Sequence, residues 1–572
     1  MTELAALDIG IIVSYMIIVL IFGFLLRKRA SSDIHSYFLG GRRIPWWILG
    51  ASGMSSNFDI TGTMLLVSLF YVIGIKEFWI SARWCSLLAA FCMVFMGKWL
   101  RRSKVMTNAE WMEFRFGSGK GGEFARLITA IAVIVSSIGV IAYLSVGVGK
   151  FLSIYLPFSP NVCALMMIAV VTVYTVLGGL YSVVFTDLLQ TILLSFVAIF
   201  LIVISFGQLG GLGGVIPTGW DSFVPAWKLS LPAEYSMYNM FTLCLLIWIV
   251  QGLTIGFGST TTDVYTPQRF YAAKNEKEAS LLAGEWAMLF TFRWPFALGL
   301  AGLALVGFAQ VKDPELILPM VIGEYLPVGV RGLCLVGLLA ASMSTFDSVL
   351  NASAAYGVRD IYQRFIRPDA EDKSLVNISR LLTILVATTG AIIGLFIPTI
   401  NVIWAWLTAG LGAGLAVPFV LRWYWWRFNG WGFGIGAMCG IVTATIFGVF
   451  FSTIPLYVSY PIIAGMAFVS SILGAILTSP PSSETLKSFY RITKPFGFWR
   501  PIRSKIGKEE VTQINREHRR DVINLCVAIP WQMGLYMFAM YLVVHKYFHM
   551  MGWLALVVVL SIVLYFNWYK KL

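Results

Sequence analysis

A chain of 572 residues, 58% hydrophobic and only 12% charged, cannot keep a folded surface wet, since ordinary soluble domains carry roughly 25% charged residues. The net charge of +14 is not gathered on one face but falls in alternate loops, which argues against nucleic acid as a partner and for a lipid bilayer. No soluble domain is visible between the apolar runs.

Apolar stretches of about 20 residues, enough to cross a hydrocarbon layer about 30 Å thick, recur along the chain. They place about fifteen spans, centred near residues 17, 60, 88, 140, 170, 195, 248, 295, 342, 388, 412, 442, 467, 534 and 560. The expected fold class is an all-α integral membrane protein. The first span lacks a preceding basic region and a small-residue cleavage site, so it reads as a retained helix. Arg27, Lys28, Arg29, Arg42 and Arg43 fill the first loop, and Lys98, Arg101, Arg102 and Lys104 the third. Lys274 and Lys277 follow the seventh span, Arg359, Arg364 and Arg367 the ninth, and the segment Ser479–Asp521 is the richest in basic residues. Lys228 and Lys312 are alone in the intervening loops. The positive-inside rule then puts the N-terminus outside and Lys570-Lys571 in the cytoplasm of a cell-membrane protein, with 479–521 as a cytoplasmic loop drawn to anionic headgroups.

Seven cysteines in apolar surroundings with no close pair give no sign of disulfides or a metal site. A pump needs a nucleotide site, and Gly117-Ser118-Gly119-Lys120 lacks both the upstream glycine and the following Ser or Thr of a phosphate loop. No catalytic constellation is recognisable either, so the chain reads as no enzyme, and any driving energy must come from an ion gradient.

Irregular backbone survives in lipid only where protein or a polar cavity covers it, so broken spans mark binding sites. The second span contains Gly50-Ala-Ser-Gly-Met-Ser-Ser-Asn-Phe-Asp-Ile-Thr-Gly62, and the seventh Gly252-Leu-Thr-Ile-Gly-Phe-Gly-Ser-Thr-Thr-Thr262. Small residues also serve close helix packing, but Asp59 adds a group costing roughly 2.5–3.5 kcal/mol at a helix centre unless it is satisfied. In the ninth span, Ala341, Ser344, Thr345 and Ser348 fall on one stripe at about 100° per residue. Such an oxygen ladder suits a hard monovalent cation, although Ser and Thr hydroxyls also bond back to their own helix. The sixth span adds Thr186-Asp187 and Gln190. Arg83, Glu285 and Arg293 also fall inside apolar runs. The two arginines require a carboxylate, carbonyls or an anionic ligand, and Glu285 is expected to bond to loop groups near a helix start.

At these residues the chain resembles the sodium/solute symporter family of the bacterial sodium/proline symporter and the sodium/glucose and sodium/galactose cotransporters. The resemblance rests on Tyr37-Phe-Leu-Gly-Gly-Arg42 with Pro45-Trp-Trp47, on Gly50-Ala-Ser52, and on Gly178-Gly-Leu180 with Thr186-Asp187 and Gln190; Gln268-Arg269 and Ala341-Ser-Met-Ser-Thr345 complete it. It implies a leucine-transporter-type core of two inverted repeats of five helices, at residues 46–210 and 211–428, with peripheral helices at 1–45 and 429–572. It further implies one sodium site on the carbonyls of Ser55, Phe58 and Ala341 and the hydroxyls of Ser344 and Thr345, and a second site, found in some members, on Asp187, Ser344 and Ser348. Asp347 stands where relatives with that second site often have Ser or Thr, so it joins the possible ligands.

Hydroxyls and amides dominate the two breaks, so the expected cargo is an uncharged or zwitterionic solute (a sugar, polyol or amino acid) contacted by Asn57, Asp59, Thr61, Thr63, Thr254 and Thr261. The alternative within the same class is a carboxylate held by Arg83 or Arg293. A sensor or channel on the same scaffold is the alternative from another class, with no signalling domain to support it.

Overall fold

The computed structural model describes residues 4–30, 39–56, 58–82, 87–210, 217–258, 266–308, 311–451 and 454–572; Asn57, Arg83 and Thr261 lie outside them. The regular elements there are helical, and the β-contact is an isolated bridge between Trp425 and Phe498. In chain order the helices that position the site are α1 (Ala6–Ala30), α2 (Trp46–Ser55), α3 (Ile60–Ile73), α4 (Gly97–Arg102), α5 (Asn108–Phe116), α6 (Lys120–Ser153) and α7 (Pro160–Leu209). They continue with α8 (Phe241–Gly256), α9 (Thr266–Ala272), α10 (Glu276–Leu289), α11 (Arg293–Gly307), α12 (Val330–Ala355) and α13 (Asp372–Gly394). The last are α14 (Gly412–Tyr424), α15 (Gly430–Phe450), α16 (Leu456–Leu477), α17 (Ser483–Thr493), α18 (Lys508–Val543) and α19 (Tyr547–Asn567).

Among the described residues eleven helical stretches are long and apolar enough to cross a membrane, and Ala6–Ile18, Pro160–Val173 and Phe241–Gly256 are shorter apolar ones. This is a multi-pass membrane protein. The spans expected near residues 170 and 195 lie in one continuous helix, α7. Ser159 caps its start by accepting from Val162 N, with Pro160 in the first turn. The Gly178-Gly179 pair does not interrupt it, since a glycine weakens a helix by only about 1 kcal/mol.

At the centre α12 is buried almost throughout, and α1, α7 and α2 pack around it. Beside this centre, α14, α15 and α16 touch through small residues: a Cβ on Gly440 would lie 2.1 Å from Gly414 O, and one on Gly436 1.8 Å from Ser471 Oγ. Only glycine permits that approach.

The segment 479–521, expected as a loop, is ordered. Leu486, Phe489, Tyr490 and Thr493 form the buried face of α17, at the i, i+3, i+4, i+7 spacing of an amphipathic helix. The following residues run into α18, whose Asp521 receives Lys98 of α4 at 2.9 Å. The basic residues are there, but the apolar ones between them are seated on the bundle instead of serving only as a link.

Candidate functional site

The second span is broken. Helix α2 ends at Ser55 and α3 begins at Ile60, with Asp59 capping the new start: its carboxylate accepts from Gly62 N at 2.7 Å. Thr63 Oγ1 donates to Asp59 O at 2.7 Å and closes the first turn. Serine and aspartate side chains compete for backbone hydrogen bonds, which is why a run rich in them ends a helix here.

The freed backbone lies against the hydroxyl stripe of α12. Thr345 Oγ1 donates to Ser56 O at 2.7 Å and lies 3.1 Å from Ala341 O. Ser56 Oγ is 3.0 Å from Ser344 Oγ and 3.2 Å from Ser348 Oγ, and Ile60 N donates to Ser342 Oγ at 2.8 Å. The amide of Phe58 donates to Ser55 O at 3.1 Å, so the break is a tight turn. Ser55, Phe58, Ala341, Ser344 and Thr345 are therefore gathered in one buried place. Hydroxyl and carbonyl oxygens at this spacing are the donor set a hard monovalent cation takes up.

Asp187 of α7 joins them. It accepts from Ser52 Oγ and bonds Ser344, while Ser55 Oγ donates to Gln190 Oε1 at 3.4 Å and Gln190 Nε2 donates to Tyr15 Oη at 3.0 Å. Tyr15 lies within electrostatic reach of both Asp187 and Asp347, and Asp347 is fully buried on α12. Arg269, to which the sequence reading gave no role, enters the same cluster from α9. Its Nη2 lies 2.6 Å from Ser56 Oγ, 2.8 Å from Ser52 Oγ, 3.1 Å from Ser348 Oγ and 3.5 Å from Asp187 Oδ2. In sequence Arg269 figures only in the Gln268-Arg269 motif, and its place just before the basic loop at Lys274 gives no sign of its burial.

A second gathering of polar groups surrounds Gly62, one turn into α3. A Cβ there would lie 3.1 Å from Asp59 Oδ2, 3.2 Å from Arg293 Nη2 and 3.2 Å from Tyr143 Oη. The Arg293 guanidinium stands 5.6 Å from the centre of the Phe58 ring, and Tyr143 packs on Trp404 at 5.5 Å between ring centres. Thr61 Oγ1 instead donates to Leu144 O of α6 at 3.3 Å, and Thr254 Oγ1 to Gln251 O at 2.8 Å, each within the protein. Glu285, expected to meet loop groups, lies against α2: a Cβ on Gly50 would come 2.2 Å from its Oε2.

The model of the sodium:solute symporter family matches residues 37–443. The chain is 27% identical over 485 residues to "Sodium/glucose cotransporter 4" of Danio rerio, covering 77% of this chain and 72% of that one. It is 25% identical over 489 residues to "Sodium/glucose cotransporter" of Vibrio parahaemolyticus, covering 79% and 86%. "Sodium/myo-inositol cotransporter 2" of Oryctolagus cuniculus is 25% identical over 548 residues, covering 85% and 79%. Among solved structures, a Na+-coupled sialic acid symporter in a substrate-bound outward-open state superposes with a TM-score of 0.67 at 19% identity, covering 84% of this chain and 99% of that one. That likeness establishes a shared fold.

Proposed function

We infer the activity from one premise: this chain belongs to the sodium:solute symporter family, with sodium as its coupling ion. The reading is that it imports a small polar organic solute (a sugar, polyol or amino acid) by alternating access across the cell membrane, N-terminus outside and C-terminus in the cytoplasm. One observation carries it: Thr345 of α12 bonds the freed carbonyl of Ser56, so the α2–α3 break and the hydroxyl stripe already meet where a cation would bridge them. Sodium there, on Ser344, Thr345 and the carbonyls of Ser55, Phe58 and Ala341, ties the broken span to α12 and favours the outward-open state. Coupling is then a difference in sodium affinity between two states. A potential of 100 mV contributes about 2.3 kcal/mol per charge, and a tenfold sodium gradient about 1.4 kcal/mol. Together they support accumulation of roughly a few hundred-fold.

The solute is placed around Gly62, between Asp59, Tyr143 and Arg293. Relatives named for glucose and myo-inositol favour a polyhydroxylated solute. The position of Arg293 there favours a second reading, a carboxylate cargo. Uptake by proteoliposomes separates the two, because Arg293→Gln weakens binding of an acid far more than of a neutral sugar. The sodium assignment is tested by Ser344→Ala with Thr345→Ala, which is expected to abolish sodium-dependent uptake in a protein that still folds. Uptake by the double variant that still follows a sodium titration as before overturns it.

A further inference from the structure

A cleft of about 760 Å³ lies between α6, α13, the stretch 401–410 and the paired helices α15 and α16. Its walls are apolar, with Ile138, Ile393 and Phe447 among them, while Glu234, Ser236 and Asn401 meet at one end, where Asn401 Nδ2 donates to Glu234 O at 3.0 Å. That size, with few polar groups to orient a guest, is the form of a small-ligand site, typically about 300–1,000 Å³. Ile393 and Val449 line the cleft and are themselves exposed, as are their neighbours Phe396 and Phe450, so it is continuous with the apolar surface that meets lipid. Its polar end is remote from the basic segment 479–521: α15 ends and α16 begins beside the cleft, and α16 runs away from it towards 479. The Glu234 carboxylate is exposed there, and among the described residues no Lys or Arg lies within ion-pair distance of it, Lys150 being taken by Asp313 and Glu315. Trp406 forms part of the inner wall, on the π-helical turn Trp406–Leu411, a kind of turn common at functional sites. A Cβ on Gly448 of α15 would lie 2.5 Å from Trp406 Cδ1 and one on Gly139 of α6 2.8 Å from its Cζ3, so glycines on both helices make room for the indole.

We propose that this cleft binds one acyl chain of a bilayer phospholipid whose headgroup carries a free ammonium, with that ammonium held by Glu234. The walls match a hydrocarbon chain and offer a water-soluble guest few partners along its length. At the rim the carboxylate selects the headgroup: an ammonium donates a charge-assisted hydrogen bond to it, a quaternary ammonium has no N–H to give, and an anionic headgroup is repelled. Trp404, on the same stretch as Trp406, packs on Tyr143 beside Gly62, so one short piece of chain has the lipid site on one side and the polar gathering around Gly62 on the other.

Photolabelling of the full-length protein tests this in vesicles of phosphatidylethanolamine and phosphatidylglycerol in equal parts. A trace of either lipid carries a diazirine on one acyl chain, and the labelled residues are mapped by mass spectrometry. With the ethanolamine probe, labelling in the cleft is expected to exceed that on α19, whose surface is mostly exposed, and to exceed labelling by the glycerol probe about tenfold. Ile393→Trp fills the cleft from its exposed rim and should remove the excess, while Glu234→Gln should keep the labelling and lose the preference between headgroups. Equal labelling of the cleft and α19 in the unaltered chain overturns the proposal, and that measurement needs no variant to fold. So does weaker labelling in the cleft than on α19, the result expected if another protein segment covers it, and so does undiminished labelling in an Ile393→Trp protein with an unchanged unfolding temperature. A headgroup preference that survives Glu234→Gln overturns the role of that carboxylate. Labelling needs neither sodium nor solute, so it succeeds or fails apart from the transport reading.

Discussion

Two regions of this protein bury arginine, by opposite means. Arg269 is surrounded by oxygens, among them Ser52 Oγ on α2, Ser56 Oγ in the break, Ser348 Oγ on α12 and Asp187 Oδ2 on α7, and these also touch one another in pairs. Arg115, at the basic end of the bundle, is surrounded by aromatic faces: its guanidinium centre lies 5.1, 5.0 and 4.9 Å from the rings of Phe116, Phe489 and Trp499. Its donors go to main-chain carbonyls, Nε to Arg422 O at 2.7 Å and Nη2 to Trp425 O at 2.9 Å. Burial pushes this guanidinium below its ordinary pKa, with no carboxylate to offset it. Hydroxyls rotate and exchange partners, so the first region can rearrange its contacts. Carbonyls at a helix end and stacked rings cannot be re-paired in that way, so the second region fixes where α14, α5 and the segment after α17 sit relative to one another. One arrangement is built for change and the other for position.

The largest effect that would sharpen this contrast is on stability. Arg115→Leu leaves the buried Arg422 carbonyl without its donor and takes one of two donors from Trp425 O, which keeps Phe428 N. Hydrogen bonds to a charged group are worth roughly 1.5–3 kcal/mol each, so a loss of about 2–4 kcal/mol is expected. Arg115→Lys should recover little of it, because an ammonium supplies neither the planar fork nor the stacking. Thermal unfolding in detergent measures both. If Arg115→Lys unfolds at the temperature of the unaltered chain, the aromatic cage contributes only space, and the contrast fails.

Next in size is sodium-dependent stabilisation. A ligand present at ten times its dissociation constant stabilises the folded state by about 1.4 kcal/mol, so adding sodium should raise the unfolding temperature of the unaltered chain, and removing it by exchange for choline should reverse the rise. The shift should persist in Arg115→Leu, at a lower starting temperature, and vanish in the Ser344→Ala, Thr345→Ala double variant. Thr345→Val tests the bridge alone: it preserves shape but deletes the hydroxyl shared by Ser56 O and Ala341 O. Sodium affinity should fall about tenfold, for a loss near 1.4 kcal/mol, with a smaller change in stability without sodium. An unchanged sodium shift in Thr345→Val would place the ion elsewhere.

The first region was largely legible in the sequence and the second was not, for a physical reason. Polar residues inside apolar runs are conspicuous because lipid penalises them, so Ser55, Asp187 and the Ala341–Ser348 stripe stood out singly, and the structure brings them together, with Asp59 beside them in the gathering around Gly62. The partners of Arg115 lie on segments hundreds of residues away, at Trp425 and Trp499, and aromatic residues near a membrane interface ordinarily read as headgroup anchors. The buried face of α17 was present as a spacing, but the many basic residues of 479–521 drew attention to charge instead. Arg269 was named only as part of the Gln268-Arg269 motif and given no role, because so close to a basic loop its burial had no local sign. The continuous α7 was hidden because its two apolar stretches, Pro160–Val173 and Asp187–Leu209, are separated by a segment with Gly178-Gly179 and look like two spans.

A third arginine gives the smallest prediction and completes the series. Arg102, at the end of α4, divides its guanidinium between Glu276 at 2.8 Å and Glu517 at 2.6 Å. Glu276 is 48% exposed and Glu517 only 15%, so water competes for the first and much less for the second. An exposed pair of this kind is worth 0–1 kcal/mol and is screened by salt. Glu276→Gln should therefore lower stability by less than about 1 kcal/mol, and the difference should disappear in concentrated salt. Glu517→Gln should cost more and respond less to salt, because Lys98 at 3.6 Å also loses a partner while Asp521 holds it at 2.9 Å. Equal effects of the two substitutions on the unfolding temperature would mean that exposure does not rank these contacts, and the distinction between an arginine held by exchangeable partners and one held by fixed ones would lose its physical basis.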